Sequence, residues 1–313
     1  MPLDLRPLSV GELFDRAFTL YRRNLWLFVG IIALPGVFAL AMTILFQIAQ
    51  RLMMTDLLAA SNDPERAAST GVAVIGLIGG AFVFFIIYWV VYMIALGAAT
   101  YAVSELYVGR VSSVKQAYSG MRGRIGPLLV LLLLLGLRIL AVGLVGGIVL
   151  ALGVGIGAFV HPVVSGLVMV FGIVALFLGV AFMTLRYGMT VPALVVERLS
   201  PSGAIRRSIA LTRGRFWRVV LLVVCAMAVT YAAMLIFQMP FAVAAFLSGP
   251  ESALGFWLNI VGAVTGTIGT TFTTPFLVIG LALLYYDARI REEGFDLELT
   301  LAALDSRSVA TGV

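Results

Sequence analysis

The chain has 313 residues, of which 62% are hydrophobic and only 12% charged, with a formal net charge of +6. About a quarter of the residues of a soluble domain are charged, so this composition excludes a soluble globular protein and indicates an integral membrane one. A single cysteine, Cys225, and a single histidine, His161, exclude an intrachain disulfide and a zinc site of the usual nitrogen and sulfur type.

Ahead of the first apolar run, the stretch from Ser9 to Tyr21 reads as an amphipathic helix. Val10, Leu13, Phe14, Ala17, Phe18 and Tyr21 fall on one face, and Glu12, Asp15, Arg16 and Thr19 on the other. Ser9 with Glu12 three residues later predicts a capping box, and Leu8 with Leu13 a hydrophobic staple around it. So close to membrane spans, such a helix belongs in the interface, as an elbow.

Six apolar runs then reach or pass the roughly 20 residues that cross a hydrocarbon core about 30 Å thick. They lie near Leu25–Ile48, Val72–Ser104, Pro127–Gly157, Val163–Val196, Val219–Leu247 and Leu254–Tyr286. The first has no small-residue cleavage site and reads as a permanent span rather than a signal peptide. The elbow pattern returns before the third run, at Ser113 with Gln116, Ala117 and Tyr118, and before the fifth, at Ser200 with Pro201, Ala204 and Ile205. Arg22 and Trp26 stand at the same offsets from Ser9 as Arg213 and Trp217 do from Ser200. Each even-numbered run ends in an acid: Glu105, Glu197 or Asp287.

The predicted fold is therefore an all-α polytopic membrane protein of about six transmembrane helices, in three repeats of an interfacial amphipathic helix plus a transmembrane hairpin. One membrane domain covers 1–291, with units of about 9–112, 113–199 and 200–291, and 292–313 form a short tail. Arg22, Arg23, Trp26, Arg122, Arg124, Arg213, Arg215, Trp217 and Arg218 are expected to anchor the elbows at the interface.

Lys and Arg concentrate on one side: Arg6, Arg16, Arg22 and Arg23 at the start, Arg110, Lys115, Arg122 and Arg124 in the second connection. The fourth connection adds Arg198, Arg206, Arg207, Arg213, Arg215 and Arg218, and the tail Arg289, Arg291 and Arg307. The opposite side holds Arg51 and Arg66. Both termini are expected to be cytoplasmic. Because these charges flank spans, the expected partners are anionic lipid headgroups rather than nucleic acid.

Arg138 and Arg186 lie inside the third and fourth runs, each eleven residues from the inner boundary, or about 16 Å at the helical rise. No Asp or Glu lies within any run. Either the two arginines bind an anion such as a phospholipid phosphate, or they snorkel and bond to helix carbonyls. Thr267, Thr270, Thr271 and Thr274, at helical spacing before Pro275, either line a cavity or bond their own helix where small residues let helices approach. No phosphate-cradling glycine loop, HExxH or Ser-His-acid set is present, so no catalytic residue, metal or cofactor is expected.

Several stretches resemble one bacterial family. They are Arg6 to Glu12 with Tyr21 to Asn24, Pro192 to Glu197, Ala204 to Ser208, Leu211 to Arg218, and Leu284 to Arg291. The family is the integral membrane domain carried by some glycerophosphoryl diester phosphodiesterases, with its stand-alone relatives. In the fused proteins a separate soluble barrel performs the hydrolysis. With no barrel here, the resemblance implies a non-enzymatic protein of the bacterial cytoplasmic membrane, a lipid-interacting scaffold or accessory subunit, with another membrane protein or a second copy as a possible partner. The alternative is a transporter or lipid translocator that uses the intramembrane arginines.

Overall fold

The computed structural model describes residues 9–60, 64–249 and 252–293, and every regular element among them is helical. In chain order these are α1 (Val10–Arg23), α2 (Leu25–Ala60), α3 (Pro64–Tyr107), α4 (Val114–Ser119), α5 (Ile125–Val160) and α6 (Pro162–Arg186). They continue with α7 (Thr190–Glu197), α8 (Pro201–Thr212), α9 (Phe216–Phe237), α10 (Met239–Leu247) and α11 (Ala253–Glu293). Six stretches are long and apolar enough to cross a membrane. The protein is thus an all-α polytopic membrane protein. Arg6, Leu8 with its staple, Arg307 and most of the predicted tail lie outside the described residues.

Two predicted runs prove to be broken, each at a proline. The run from Val163 to Val196 is α6 followed by α7, because Pro192 has no N–H for the carbonyl of Gly188 and its ring crowds that group. The run from Val219 to Leu247 is α9 and α10, interrupted at Gln238 just ahead of Pro240.

The elbow helices α1, α4 and α8 start where their serines predict. Glu12 N–H donates to Ser9 Oγ at 3.3 Å while Ser9 N–H donates to Glu12 Oε2 at 2.7 Å. Ser113 and Gln116 make the same reciprocal pair at 3.2 and 2.9 Å. Ser200 Oγ accepts from Gly203 N–H at 3.3 Å, with Pro201 at the first helical position, where its missing N–H costs nothing. Each elbow precedes a pair of long helices that pack on one another: α2 on α3, α5 on α6 and α9 on α11.

All three elbows donate a hydroxyl to a backbone carbonyl of a long helix, and in one of them a proline has removed that carbonyl's own donor. Pro35 inside α2 leaves the carbonyl of Ile31 without its helical donor, and Tyr118 of α4 donates to that carbonyl at 2.8 Å. Pro275 inside α11 opens the preceding turn, where Tyr21 of α1 donates to the carbonyl of Phe272 at 2.6 Å. At the α6–α7 break, Ser208 of α8 donates to the carbonyl of Arg186 at 2.7 Å and accepts from Met189 N–H at 3.2 Å. Thus α1 seats on α11, α4 on α2 and α3, and α8 on α7 and α5. Glycine makes one seat possible: a Cβ on Gly30 would lie 2.9 Å from Val114 Cγ2.

The protein core lies at this elbow end. One buried cluster joins Leu13 and Ala17 of α1, Phe28 and Ile31 of α2, Ala98 to Val103 of α3, Met121 beside α4, Leu128 and Leu131 of α5, Leu194 of α7, Ile205 of α8, Leu222 of α9 and Ile279 to Ala288 of α11. Tyr107 stacks on Tyr286 within it, centroids 4.4 Å apart, tying α3 to α11. Toward the other end the side chains face outward, and α6 buries no residue at all. Hydrocarbon is as apolar as leucine, so nothing there drives side chains together.

Burial pushes the Tyr118 phenol up from 10.0 to about 12, which favours the neutral, donating form in the folded state. Its contribution is therefore complete below pH 10.0 and disappears as pH rises through about 12. Tyr118→Phe is expected to cost about 1–3 kcal/mol by stranding the Ile31 carbonyl. In a Pro35→Ala background, which restores the helical donor, the same substitution should cost clearly less; equal losses of melting temperature in detergent would contradict the assignment.

Candidate functional site

The acids that close the even-numbered runs are held by arginines. Asp287 of α11, only 1% exposed, accepts from Arg218 Nη1 at 3.1 Å and from Arg291 Nε at 3.0 Å. Glu197 at the end of α7 accepts from Arg207 Nε at 3.0 Å and from the Tyr285 hydroxyl, with Arg289 Nε 3.6 Å away. Glu292 pairs with Arg215. These carboxylates tie α7, α8, α9 and α11 together. Arg215 and Arg218, expected as lipid anchors, are turned instead toward acids of α11. The spacing of Arg215 to its own elbow could not reveal this, because its partner lies 77 residues away.

The other expected anchors stay outside. Arg22, Arg23 and Arg213 are exposed at the ends of α1 and α8, and Trp26 and Trp217 are 77% and 78% exposed at the starts of α2 and α9. Trp26 sets its edge on Phe272, centroids 6.5 Å apart.

Arg138 of α5 and Arg186, the last residue of α6, both lie toward the elbow end of the α5–α6 hairpin, with Arg138 reaching the ring of Tyr187 next to Arg186. The Arg138 guanidinium lies over the ring of Tyr187, 6.0 Å from its centroid, and Arg186 over Phe182 at 5.5 Å. Neither has an ion-pair partner among the described residues. Phe182 also meets Phe216, the first residue of α9, at 5.0 Å. Arg186 follows Phe182 by one turn and closes α6, and residues 190–197 form a separate buried helix after it.

Thr267 and Thr271 face α2, where a Cβ on Gly36 would lie 2.7 Å from Thr271 Oγ1 and 3.7 Å from Thr267. Thr270 donates to the carbonyl of Thr267 at 3.1 Å and Thr274 to that of Thr270 at 2.7 Å. This stripe serves a close helix contact and its own helix, so the four threonines do not gather around the arginines.

A feature that the sequence did not single out is an open cleft of about 690 Å³ between the end of α3, the α4–α5 turn and the end of α7. Arg110, Arg122, Arg124 and Arg198 line it, with Glu105 and Tyr101. Arg110 pairs with Glu105 at 3.5 Å on an exposed edge. Arg124 stacks over Tyr101 at 5.6 Å, and burial together with the nearby Arg198 pushes its pKa down. Arg122 and Arg124 were read as anchors; Arg110 and Arg198 entered only as members of basic loops, because nothing in sequence spacing brings residues 110, 124 and 198 to one wall.

A family model described as the membrane domain of glycerophosphoryl diester phosphodiesterase matches residues 148–300. The matched stretch starts within α5 and takes in α6 to α11, with the motifs around Glu197, Arg206, Arg213 and Asp287 that carry the resemblance; the first elbow lies outside it. No curated protein and no solved structure matches the chain.

Asp287→Asn leaves Arg218 and Arg291 without their buried counter-charge and is expected to destabilise by about 3–5 kcal/mol. Glu105→Gln, at the exposed pair, should cost no more than about 1 kcal/mol. Thermal unfolding in one detergent compares the two, and a similar loss for both would show that burial does not govern these pairs.

Proposed function

We infer that this chain, whose residues 148–300 carry the membrane domain of the glycerophosphoryl diester phosphodiesterase family, is a non-enzymatic, lipid-interacting scaffold or accessory subunit of the bacterial cytoplasmic membrane. Its elbows rest on the inner leaflet, with both termini on that side. The supporting observation is the Arg138–Arg186 site. Two guanidinium groups, each over an aromatic ring and without an ion-pair partner among the described residues, lie toward the elbow end of the α5–α6 hairpin, whereas Arg207, Arg215, Arg218 and Arg291 are matched by acids. An arginine near an interface without a protein acid is suited to a phospholipid phosphate, which accepts its paired N–H groups in a fork.

A second reading, lipid translocation, is favoured by the α5–α6 hairpin. Its contacts with other spans sit near the elbow end, at Leu128 on Gly97 and Phe182 on Phe216, and α6 buries no residue. Such a hairpin leaves a lateral opening along which a headgroup could travel.

Native mass spectrometry in mild detergent tests the first reading. Wild type should retain anionic phospholipid, and Arg138→Gln/Arg186→Gln should lose most of it with an unchanged melting temperature. Unchanged retention would remove the headgroup role. Movement of labelled anionic phospholipid across proteoliposomes that the double variant abolishes would select the translocator instead of the scaffold.

A further inference from the structure

We propose that the cleft lined by Arg110, Arg122, Arg124 and Arg198 binds a phosphate group of at least two negative charges, a phosphomonoester or a diphosphate. It is separate from the Arg138–Arg186 site, and a water-soluble phosphate ester would satisfy it as well as a lipid, so it does not rest on the lipid reading.

Charge imbalance is the first argument. Glu105 is the one acid on the wall and is paired with Arg110. Arg122, Arg124 and Arg198 have no ion-pair partner among the described residues, whereas Arg207, Arg215, Arg218 and Arg291 elsewhere at the elbow end are each held by an acid. Three uncompensated guanidinium groups call for an anion of charge two or three. A single carboxylate or one phosphodiester would leave much of that repulsion in place.

The backbone supplies the second argument. Arg198 has φ of +53° and is the only described residue other than glycine with a positive φ. Glycine is the usual choice at this position just past a helix, and a side chain there costs roughly 1 kcal/mol. Arg198 follows α7 and lines the same cleft as Arg124, so their positive charges share one opening, an arrangement that an anion between them would stabilise. Across the cleft, Gly123 at φ +83° makes the tight turn that sets Arg122 and Arg124 on either side of it.

Size and lining agree. A cleft of about 690 Å³ exceeds one phosphate and suits a ligand that carries one. Leu194, Val196, Leu199 and Pro127 give it an apolar wall opposite the arginines, and Tyr101 holds Arg124 by its ring face, so the donors are pre-aimed. The position at the start of α5 opens it both to water and to headgroups.

The test uses the full chain in phosphatidylcholine nanodiscs, with inorganic pyrophosphate titrated by calorimetry and phosphatidic acid supplied in a second set of discs and scored by native mass spectrometry. Wild type should bind at least one of the two probes. Arg124→Gln and Arg198→Asn, the latter suited to positive φ, should each weaken that binding about tenfold or more, as expected when a charge-assisted bond is lost. Arg206→Gln, an exposed arginine outside the cleft, should leave it unchanged. Arg138→Gln/Arg186→Gln should also leave it unchanged, so the two sites fail independently. Binding of pyrophosphate identifies a soluble phosphate ester as a sufficient ligand, and binding of phosphatidic acid alone identifies a lipid. If neither probe binds, or if Arg124→Gln and Arg198→Asn bind as wild type does, the proposal is overturned. Should Arg124→Gln fail to fold, Arg124→Lys, which keeps the charge but loses the fork, takes its place with the same expected direction.

Discussion

A carbonyl that loses its helical donor to a proline needs another donor, because hydrocarbon offers none. This protein meets that requirement with an elbow. Tyr118 supplies the donor that Pro35 removes from the Ile31 carbonyl, while Tyr21 reaches the Phe272 carbonyl one turn before Pro275 and Ser208 the Arg186 carbonyl at the open end of α6. The seats of α4, α1 and α8 follow from those three contacts, and the buried core follows from the seats. Gly30 gives α4 room to approach, and Met121, just after it, fills the space that Gly97 leaves open.

Charge is arranged on the same footing. At the end of α11, Asp287 and Glu292 draw Arg218 and Arg215 away from the lipid and lock the start of α9 to α11. Glu197 does the same for α8 through Arg207 and for α11 through Tyr285. Besides the exposed Arg22, Arg23 and Arg213 at helix ends, two groups of arginines lie without an ion-pair partner among the described residues. One is at the base of the α5–α6 hairpin and the other surrounds the cleft beside α7. A buried or half-buried arginine gains most from a partner that presents two oxygens, and phosphate provides that geometry in water and at a membrane surface alike.

The uneven distribution of the core also carries functional meaning. At the elbow end the helices are joined by aromatic stacking, hydrogen bonds and ion pairs, while α5 and α6 extend beyond it as a hairpin fitted together by glycines, with Leu176 over Gly146 and Leu150 over Gly172. A packed platform with an exposed apolar hairpin suits a component that works among lipids, and both groups of arginines lie where platform and hairpin meet.

Much of this was legible in order along the chain. The serine caps and the six apolar stretches depend on residues near one another in sequence or on composition, and local physics decides them. The breaks near Pro192 and Pro240 fall inside apolar runs that read as continuous, because hydropathy alone does not register a proline. The destinations of Tyr21, Tyr118 and Ser208, the inward turn of Arg215 and Arg218, and the meeting of Arg124 with Arg198 were not legible. By itself the sequence determined a helical membrane protein with basic, capped elbows, because hydrophobic length and caps act locally. Only the tertiary structure decided which backbone each elbow reaches and which arginines are left without acids, because both depend on contacts between residues that are far apart along the chain.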